Sequence, residues 1–390
     1  MLGGLSDALL LEDAKRFEGV YPIAAIDNFV RIFAIHPEDR VLLLVDRGLD
    51  RRVIDFVAQY ARGRGAAVQV VMGERGGNPS GGNSASTEVP DELKPVLEWA
   101  SFVVSTWFAS VSHPFCKALR RERGQRWIKI TFFRSLDYLK TEAAAFPLDV
   151  ITLLLQRTAA RYPEEGPADI RITDPRGTDL RIHLTQAEVS RLLSQSRWKG
   201  ELTAERPGCY VHYLPTHGPN FVDTDTGVGG ERVRQIEGVL IPQWSVGFAE
   251  PFAQPPVIEM AENQVTAVRG EGEVAEILRQ TLIGATLDEL GCGFNPKFPR
   301  HQIYPAGPNA PGGLHFGMNM VAPSPFVLRR MPQWVEPPVH MDLVDLDATV
   351  TINGKVVVDH GFLTTLRDPV VQAAASRYGD PHYLLEGDWV

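Results

Sequence analysis

The chain has 390 residues, of which 44% are hydrophobic, and it carries a formal net charge of −9 at pH 7. Because single hydrophobic cores stop growing at roughly 250 to 300 residues, a chain of this length predicts two domains. The negative charge offers no basic patch, which argues against a nucleic-acid partner, since phosphate binding relies on clustered Lys and Arg.

The sequence shows no sign of a membrane or secretory segment. It contains no run of about 18 apolar residues, and the short apolar run near Leu9 has no basic region before it. We therefore expect a soluble, cytoplasmic protein with no membrane partner. Cys116, Cys209 and Cys292 are odd in number and widely separated, so they fit neither a disulfide framework nor a cysteine zinc site. Any metal would be bound by His, Asp and Glu.

Residues 1–160 alternate strand and helix signals. The runs RVLLLVD and AVQVVMG are typical of buried strands, and DRRVIDFVAQYARGRG between them has helical spacing and a Gly stop. The alternation continues through PDELKPVLEWA, FVVST, KALRRER and RWIKIT. This pattern predicts an α/β domain with a parallel sheet covered by helices. The segment SLDYLKTEAAAFPLDVITLLLQRTAARY is predicted to form a long helix leading out of it.

Residues 161–390 change to a period of two. The stretches ADIRITDPRGTDLRIHLT, IEGVLIPQWSVG and PPVIEMAENQVTAVRG predict strands joined by tight turns, and EGEVAEILRQTL predicts an amphipathic helix. The second domain is therefore expected to be a mostly antiparallel α+β domain. A further hairpin is predicted in PPVHMDLVDLDATVTINGK. Small ligands usually bind in clefts between domains, so we expect the site at the junction.

His340 and Asp342 are separated by one residue in a predicted strand, so their side chains share a face and could bind a cation together. An exposed His-Asp pair with no function is the plainer interpretation. The neighbourhood favours a site, because His315 follows Pro-Gly-Gly and Glu289 is predicted to lie in a Gly-rich loop. Two histidines and a carboxylate serve non-haem Fe(II) oxygenases, and zinc hydrolases use the same donors. We expect this domain to carry the metal site.

Other residues near this pattern have structural alternatives. Asp345 and Asp347 continue the alternation of Asp342, and we expect them at a solvated strand edge. Trp244 and Phe294 could form aromatic walls for a flat substrate, although core packing would explain both equally well.

Three motifs carry a resemblance to a known superfamily. ELGCGFNPK, HFGMN and PPVHMD occur in the order found in the superfamily that joins aminopeptidase-T-like metallopeptidases to 2,5-dihydroxypyridine 5,6-dioxygenases. The resemblance to the dioxygenases implies iron ligands at Glu289, His340 and Asp342. The dioxygenases have His at the first of these positions, whereas Glu is the peptidase residue. His315 also matches a peptidase metal ligand.

Two further peptidase features are missing. The segment IPQWSVG has no carboxylate where the peptidases place a metal-binding Glu, and no tyrosine follows HFGMN. Both losses weaken a two-metal hydrolase. ASVSHPFCK and CYVHYLPTHG resemble dioxygenase segments, which implies acid/base and substrate-facing roles for His113 and His212. The alternatives are a helix cap for His113 and a packed strand histidine for His212.

The resemblance implies a mononuclear Fe(II)-dependent ring-opening dioxygenase. Its partners would be O₂ and a hydroxylated N-heteroaromatic, dihydroxypyridine-like or related aromatic substrate, with Glu289, His315, His340 and Asp342 around the metal. The alternative is a Zn- or Mn-dependent aminopeptidase-like or amide hydrolase. A metal-stabilised binding protein ranks last, since structural sites are usually closed by four protein ligands. A homo-oligomer is possible.

Overall fold

The structure is a computed structural model. It describes residues 21–73, 83–84, 89–106, 113–130, 132–213, 219–223, 233, 235–245, 247–298, 300, 309–332, 334 and 339–386, without the side chains of 83, 84, 339 and 340. Internal contacts divide the chain into two compact units: Met1–Gly77, Ala85–Leu148 and Leu202–Pro215 form the first, and Asn78–Ser84, Asp149–Glu201 and Thr216–Val390 form the second. The sequence suggested one change of domain after residue 160, whereas the chain passes between these units several times.

The first unit contains a five-stranded parallel sheet in the order β2-β1-β4-β5-β8. Its strands are β1 Arg40–Asp46, β2 Ala67–Gly73, β4 Phe102–Ser105, β5 Arg126–Lys129 and β8 Tyr210–His212. Strands β4 and β5 are buried throughout and β1 is buried after its first residue, which explains their continuous apolar runs. The predicted α/β domain with a parallel sheet is confirmed.

Short helices accompany this sheet. They are α1 Ile23–Phe33, α2 Arg51–Gly63, α3 Lys94–Trp99, α4 Pro114–Arg123 and α5 Glu142–Ala145, with 3₁₀ turns at Asp91–Leu93 and Leu136–Lys140. The Asp50 carboxylate caps α2 by accepting a hydrogen bond from the backbone N–H of Arg52 at 2.9 Å. Helix α2 buries the apolar stripe that its sequence predicts.

The long helix predicted over residues 135–162 is wrong, because the segment breaks into three pieces. The 3₁₀ turn at Leu136–Lys140 and α5 are followed by a separate helix, α6 Leu148–Ala159. Thr141 starts α5 by accepting a hydrogen bond from the N–H of Ala144. Phe146 is extended because it precedes Pro147, whose ring disfavours a helical residue before it.

The second unit contains two largely antiparallel sheets, which confirms the predicted α+β character of this part of the chain. The eight-stranded sheet has the order β13-β12-β10-β7-β6-β17-β18-β19, and the six-stranded sheet has the order β11-β16-β15-β14-β9, with β3 pairing β16. The strands are β3 Asn83–Ser84, β6 Ala168–Thr173, β7 Asp179–Leu184, β9 Val222–Asp223, β10 Ile236–Leu240, β11 Trp244–Ser245, β12 Val257–Ala261, β13 Gln264–Arg269, β14 Thr286–Gly291, β15 Leu314–Asn319, β16 Val339–Asp345, β17 Thr349–Ile352, β18 Lys355–Asp359 and β19 Phe362–Leu363.

The helices of the second unit are α6, α7 Gln186–Leu193, α8 Gly272–Leu282, α9 Pro325–Arg330, α10 Pro369–Ala375 and α11 Pro381–Glu386, with a 3₁₀ turn at Thr364–Arg367. Helix α8 is the amphipathic helix predicted in EGEVAEILRQTL. None of the helices in the described ranges combines the length and apolar content that a membrane span requires.

The hairpin predicted in PPVHMDLVDLDATVTINGK is wrong, because β16 and β17 belong to different sheets. Strand β16 pairs with β15, β11 and β3, whereas β17 pairs with β6 and β18. The predicted hairpins β6–β7 and β12–β13 do form. The residues between β16 and β17 therefore carry the chain from one sheet to the other.

A buried ion network holds this crossover. The Arg176 guanidinium lies 2.7 Å from both Asp174 Oδ2 and Asp345 Oδ1, and its other end lies 3.3 Å from Asp347 Oδ2. The Asp345 side chain is 0% exposed and the Asp347 side chain is 50% exposed. The expectation of a solvated strand edge is therefore wrong for Asp345, because the following residues turn inward to the other sheet.

The Asp345 carboxyl group sits against a second carboxylate. Burial, followed by the hydrogen bond with Asp174, raises the pKa of Asp345 to about 7. Burial alone would raise the pKa of Asp174 as well, but hydrogen bonds with Asp345 and Thr178 lower it. The positive charge of Arg176 opposes the rise at Asp345 without cancelling it. Below about pH 7 Asp345 therefore carries a proton, whereas Asp174 stays ionised.

Candidate active site

The central strands of the six-stranded sheet separate polar from apolar side chains. Residues paired across neighbouring strands point to the same face. One face is apolar and fully buried, with Leu287, Leu290, Phe316, Met318, Met341 and Leu343. The opposite face carries Glu289, His315 and Asp342. Three of the four predicted metal-site residues therefore share one face.

A β-bulge in β14 is required for this arrangement. Leu287 pairs with Met318 and Glu289 pairs with the adjacent Gly317, so Asp288 is the extra residue of the bulge. In a regular strand Leu287 and Glu289 would share a face. The bulge keeps Leu287 in the core and directs Glu289 to the polar face.

Glu289 and Asp342 flank a glycine on the strand between them. Gly317 on β15 pairs with Glu289 on one side and with Asp342 on the other. Since neighbouring strands lie about 4.8 Å apart, the Cα atoms of the two acidic residues are separated by roughly 10 Å. Gly317 adds no side chain to the row between Glu289 and Asp342. Asp223 on β9 extends the same row, and its carboxylate accepts a hydrogen bond from the Gln195 amide at 3.3 Å.

His315 lies one row further along this face, paired with Gly291 and Val344. Its side chain is buried, with the residue 2% exposed. A Cβ atom at position 291 would lie 2.8 Å from His315 Nε2 and 2.7 Å from Asn220 Oδ1, closer than real Cβ contacts allow. Gly291 therefore makes room for the imidazole and for the Asn220 amide over the strand.

Asn220 is a site residue that sequence reasoning missed. Its Nδ2 donates a hydrogen bond to Glu289 Oε2 at 2.7 Å, and the residue is 2% exposed. Asn220 Oδ1 is buried without a hydrogen-bond partner in the described part of the chain. A single Asn outside any periodic pattern gives no signal in the sequence, because its role depends on strands that are distant along the chain.

The backbone of His340 pairs with Asn319 and Asn83. Its side chain lies outside the described residues. Within the described ranges, no group of three or more His, Cys, Asp and Glu side chains is close enough to hold a metal ion. Two imidazoles and two carboxylates are nevertheless donors that suit Fe(II), Zn(II) or Mn(II). The residues fit such an ion in donor type.

His113 and His212 both lie in the first unit. His113 is the N-cap of α4, where its Nδ1 accepts a hydrogen bond from the N–H of Phe115 at 3.1 Å. This is the helix-cap alternative, and it leaves Nε2 to carry the proton of the neutral ring. His212 is 8% exposed on β8, with its ring centroid 5.2 Å from that of Tyr210. The acid/base and substrate-facing roles stay predictions.

His212 has a neighbour that sequence reasoning did not single out. Lys129, Ser105 and His212 form one row at the carboxyl ends of adjacent parallel strands. All three are buried, with Lys129 7% exposed. Ligands of open parallel sheets bind at this end of the strands. A lone lysine in RWIKIT gives no hint of this row, because its partners come from other segments.

The polar face of the six-stranded sheet has an apolar margin. Trp244 pairs with Val344, which in turn pairs with His315, so an aromatic side chain lies two strands from the imidazole on the same face. Trp244 is 7% exposed, packs with Val344, Phe248 and Leu346, and donates its Nε1–H to Phe248 O at 2.9 Å. Phe294, the other proposed wall, is fully buried against Trp198 and belongs to the core.

Comparisons with known proteins give one informative similarity. No protein family model matches the chain, and no curated protein matches it. The chain is similar to the solved structure of 2,5-dihydroxypyridine dioxygenase from Pseudomonas putida KT2440, with a TM-score of 0.60 and 16% sequence identity. The match covers 92% of this chain and 98% of that chain. At this identity the similarity shows a shared fold.

Proposed function

We propose that the protein is a mononuclear Fe(II)-dependent dioxygenase that opens a hydroxylated N-heteroaromatic ring of the dihydroxypyridine kind. The observation that carries the proposal is the polar face with Glu289, His315 and Asp342, within a fold shared with a dihydroxypyridine dioxygenase. These three residues and His340 would hold the metal. A bound Fe(II) would supply the Lewis-acid and redox chemistry for ring cleavage by O₂.

The residues of the chain would bind and orient the substrate and move protons. Trp244 and Val344 give the polar face a flat apolar margin suited to an aromatic ring. In the neutral state of His113, Nε2 is the ring atom that can donate a proton, since Nδ1 accepts from the backbone. His212 is the second candidate for proton transfer, because an imidazole titrates near neutral pH.

A Zn- or Mn-dependent amide hydrolase is the second candidate. It is favoured by Glu at position 289 and by the buried His315 on the same face, since both match the peptidase pattern. Zinc hydrolases use this donor set with an open position for water.

Anaerobic reconstitution with Fe(II), Zn(II) or Mn(II) separates the two functions. Each form is tested for oxygen uptake with dihydroxypyridines and catechols, and for cleavage of aminoacyl amides. Oxygen uptake with Fe(II) alone, lost in Asp342→Asn and retained in Asp347→Asn, would support the dioxygenase. Amide cleavage with Zn(II) or Mn(II), without oxygen uptake, would replace it by the hydrolase. A metal-stabilised protein with neither reaction would exclude both enzymes.

A further inference from the structure

Asn220 occupies a fixed position beside the polar face. The next residue, Phe221, is fully buried, and its carbonyl oxygen accepts a hydrogen bond from the Tyr162 hydroxyl at 2.6 Å. Strand β9 begins directly afterwards and pairs with β14. The backbone directly after Asn220 is therefore held in place, which limits where its side chain can lie.

The two ends of the Asn220 amide have different partners. The NH₂ group faces the carboxylate, where it donates to Glu289 Oε2 at 2.7 Å. The opposite orientation of the Asn220 amide would place Oδ1 against the carboxylate, which is also an acceptor. The Glu289 carboxylate therefore fixes the orientation of the amide. The carbonyl oxygen consequently faces the space over Gly291, which the His315 imidazole also faces.

This arrangement suits the support of metal ligands. The hydrogen bond from Asn220 to Oε2 orients the Glu289 carboxylate. A buried carbonyl oxygen beside an imidazole can accept the ring N–H and so fix the tautomer of a ligating histidine, as partners behind metal ligands do. A carboxylate would repel Glu289, and an apolar side chain would offer neither contact.

We propose that Asn220 is a positioning residue that orients Glu289 and His315 together for binding of a divalent metal. This inference rests on the proposed function, because it assumes that both residues are metal ligands. Three observations carry it: the hydrogen bond to Glu289, the buried Asn220 Oδ1, and the absence of a side chain at Gly291.

The test measures Co(II) binding to the full chain by calorimetry and by visible absorption. Asn220→Leu keeps the approximate volume of the side chain and removes both ends of the amide. Asn220→Ala also removes both ends and is measured in case the leucine variant does not fold. Gln195→Leu is the matched control, since it removes the amide that donates to Asp223, which lies outside the proposed ligand set. Near-ultraviolet circular dichroism checks that each variant is folded.

We expect the dissociation constant for Co(II) to rise about 10- to 100-fold in the Asn220 variants, the usual effect of removing a residue that supports metal ligands. The Co(II) absorption band should also change shape, which loss of stability alone would not cause. The Gln195 control should bind as the wild type does. Unchanged affinity and spectrum in a folded Asn220 variant would overturn the inference and leave the proposed function standing. A wild-type protein that binds no Co(II), Fe(II) or Zn(II) would overturn both.

Discussion

Replacing Asp345 with Asn should remove a pH dependence of the unfolding free energy that the wild-type protein carries. The wild-type carboxyl group is fully buried, and burial raises its pKa from the ordinary 3.8 to about 7. In the unfolded chain it ionises near its ordinary pKa, so between the two values the folded state binds one more proton than the unfolded state. The stabilisation that the proton on Asp345 gives the folded state is complete below pH 3.8 and is lost as the pH rises through 7.

The magnitude follows from the shift. One pKa unit corresponds to about 1.4 kcal/mol, so raising the pH from 5 to 8 should cost the wild type at most about 3 kcal/mol through this group. Asn at position 345 can donate a hydrogen bond to the Asp174 carboxylate as the protonated acid does, but it does not titrate. The difference in unfolding free energy between the two proteins should therefore change by a few kcal/mol between pH 5 and pH 8, in favour of the variant at pH 8.

The assay is urea denaturation of both proteins at pH 5, 6, 7 and 8. Asp347→Asn is the matched control, because Asp347 belongs to the same network with a half-exposed side chain. Parallel pH profiles for the wild type and Asp345→Asn would refute the reasoning and show that Asp345 stays ionised beside Arg176.

Three other substitutions test the site. Gly291→Ala should weaken Co(II) binding and lower the unfolding free energy measured in urea by about 1 to 3 kcal/mol, since its Cβ would collide with His315 and Asn220. In the control Gly63→Ala, the added Cβ meets nothing within 4 Å and should leave Co(II) binding unchanged. His113→Ala should cost about 1 kcal/mol of stability because the helix cap is lost, and His113→Asn should restore that stability. Oxygen uptake lost in both variants would support proton transfer by His113. Oxygen uptake retained in both variants would make His113 a helix cap alone. The KM of Trp244→Ala for an aromatic substrate should be about ten times the KM of Trp244→Phe. Equal KM values in the two variants would exclude a ring-binding role for Trp244.

The sequence predicts most of the first sheet because its signals are local. RVLLLVD is apolar between Arg40 and Asp46, and the structure buries this apolar run on both faces of β1. The sequence allows a strand at His212, but it gives no sign that β8 Tyr210–His212 pairs with β5 from far along the chain. Local patterns also cannot assign partners, which is why β16 and β17 suggest a hairpin but join different sheets.

The candidate site shows the same limits. His315 and Asp342 share a face because the β15–β16 register agrees with simple alternation. The loop expected around Glu289 is strand β14, and Glu289 joins them only through the bulge at Asp288, which no glycine in the sequence marks. The alternation expected from Asp342 to Asp345 is wrong, because Asp345 lies three residues further on and has the face of the buried Leu343. There it pairs with Arg176, which also pairs with Asp174 in the β6–β7 connection. These contacts are long-range, so period and composition carry no information about them.

Strand β8 also has a consequence for how the protein is made. The first unit needs residues 202–215, and the chain between Leu148 and Leu202 belongs to the second unit. During synthesis the parallel sheet therefore cannot be completed until part of the second unit has left the ribosome. A fragment that ends at Leu148 would lack β8 and would present β5 as an unpaired edge, which invites pairing with another chain. The two units are thus linked in their order of folding, and neither can be excised by a single cut.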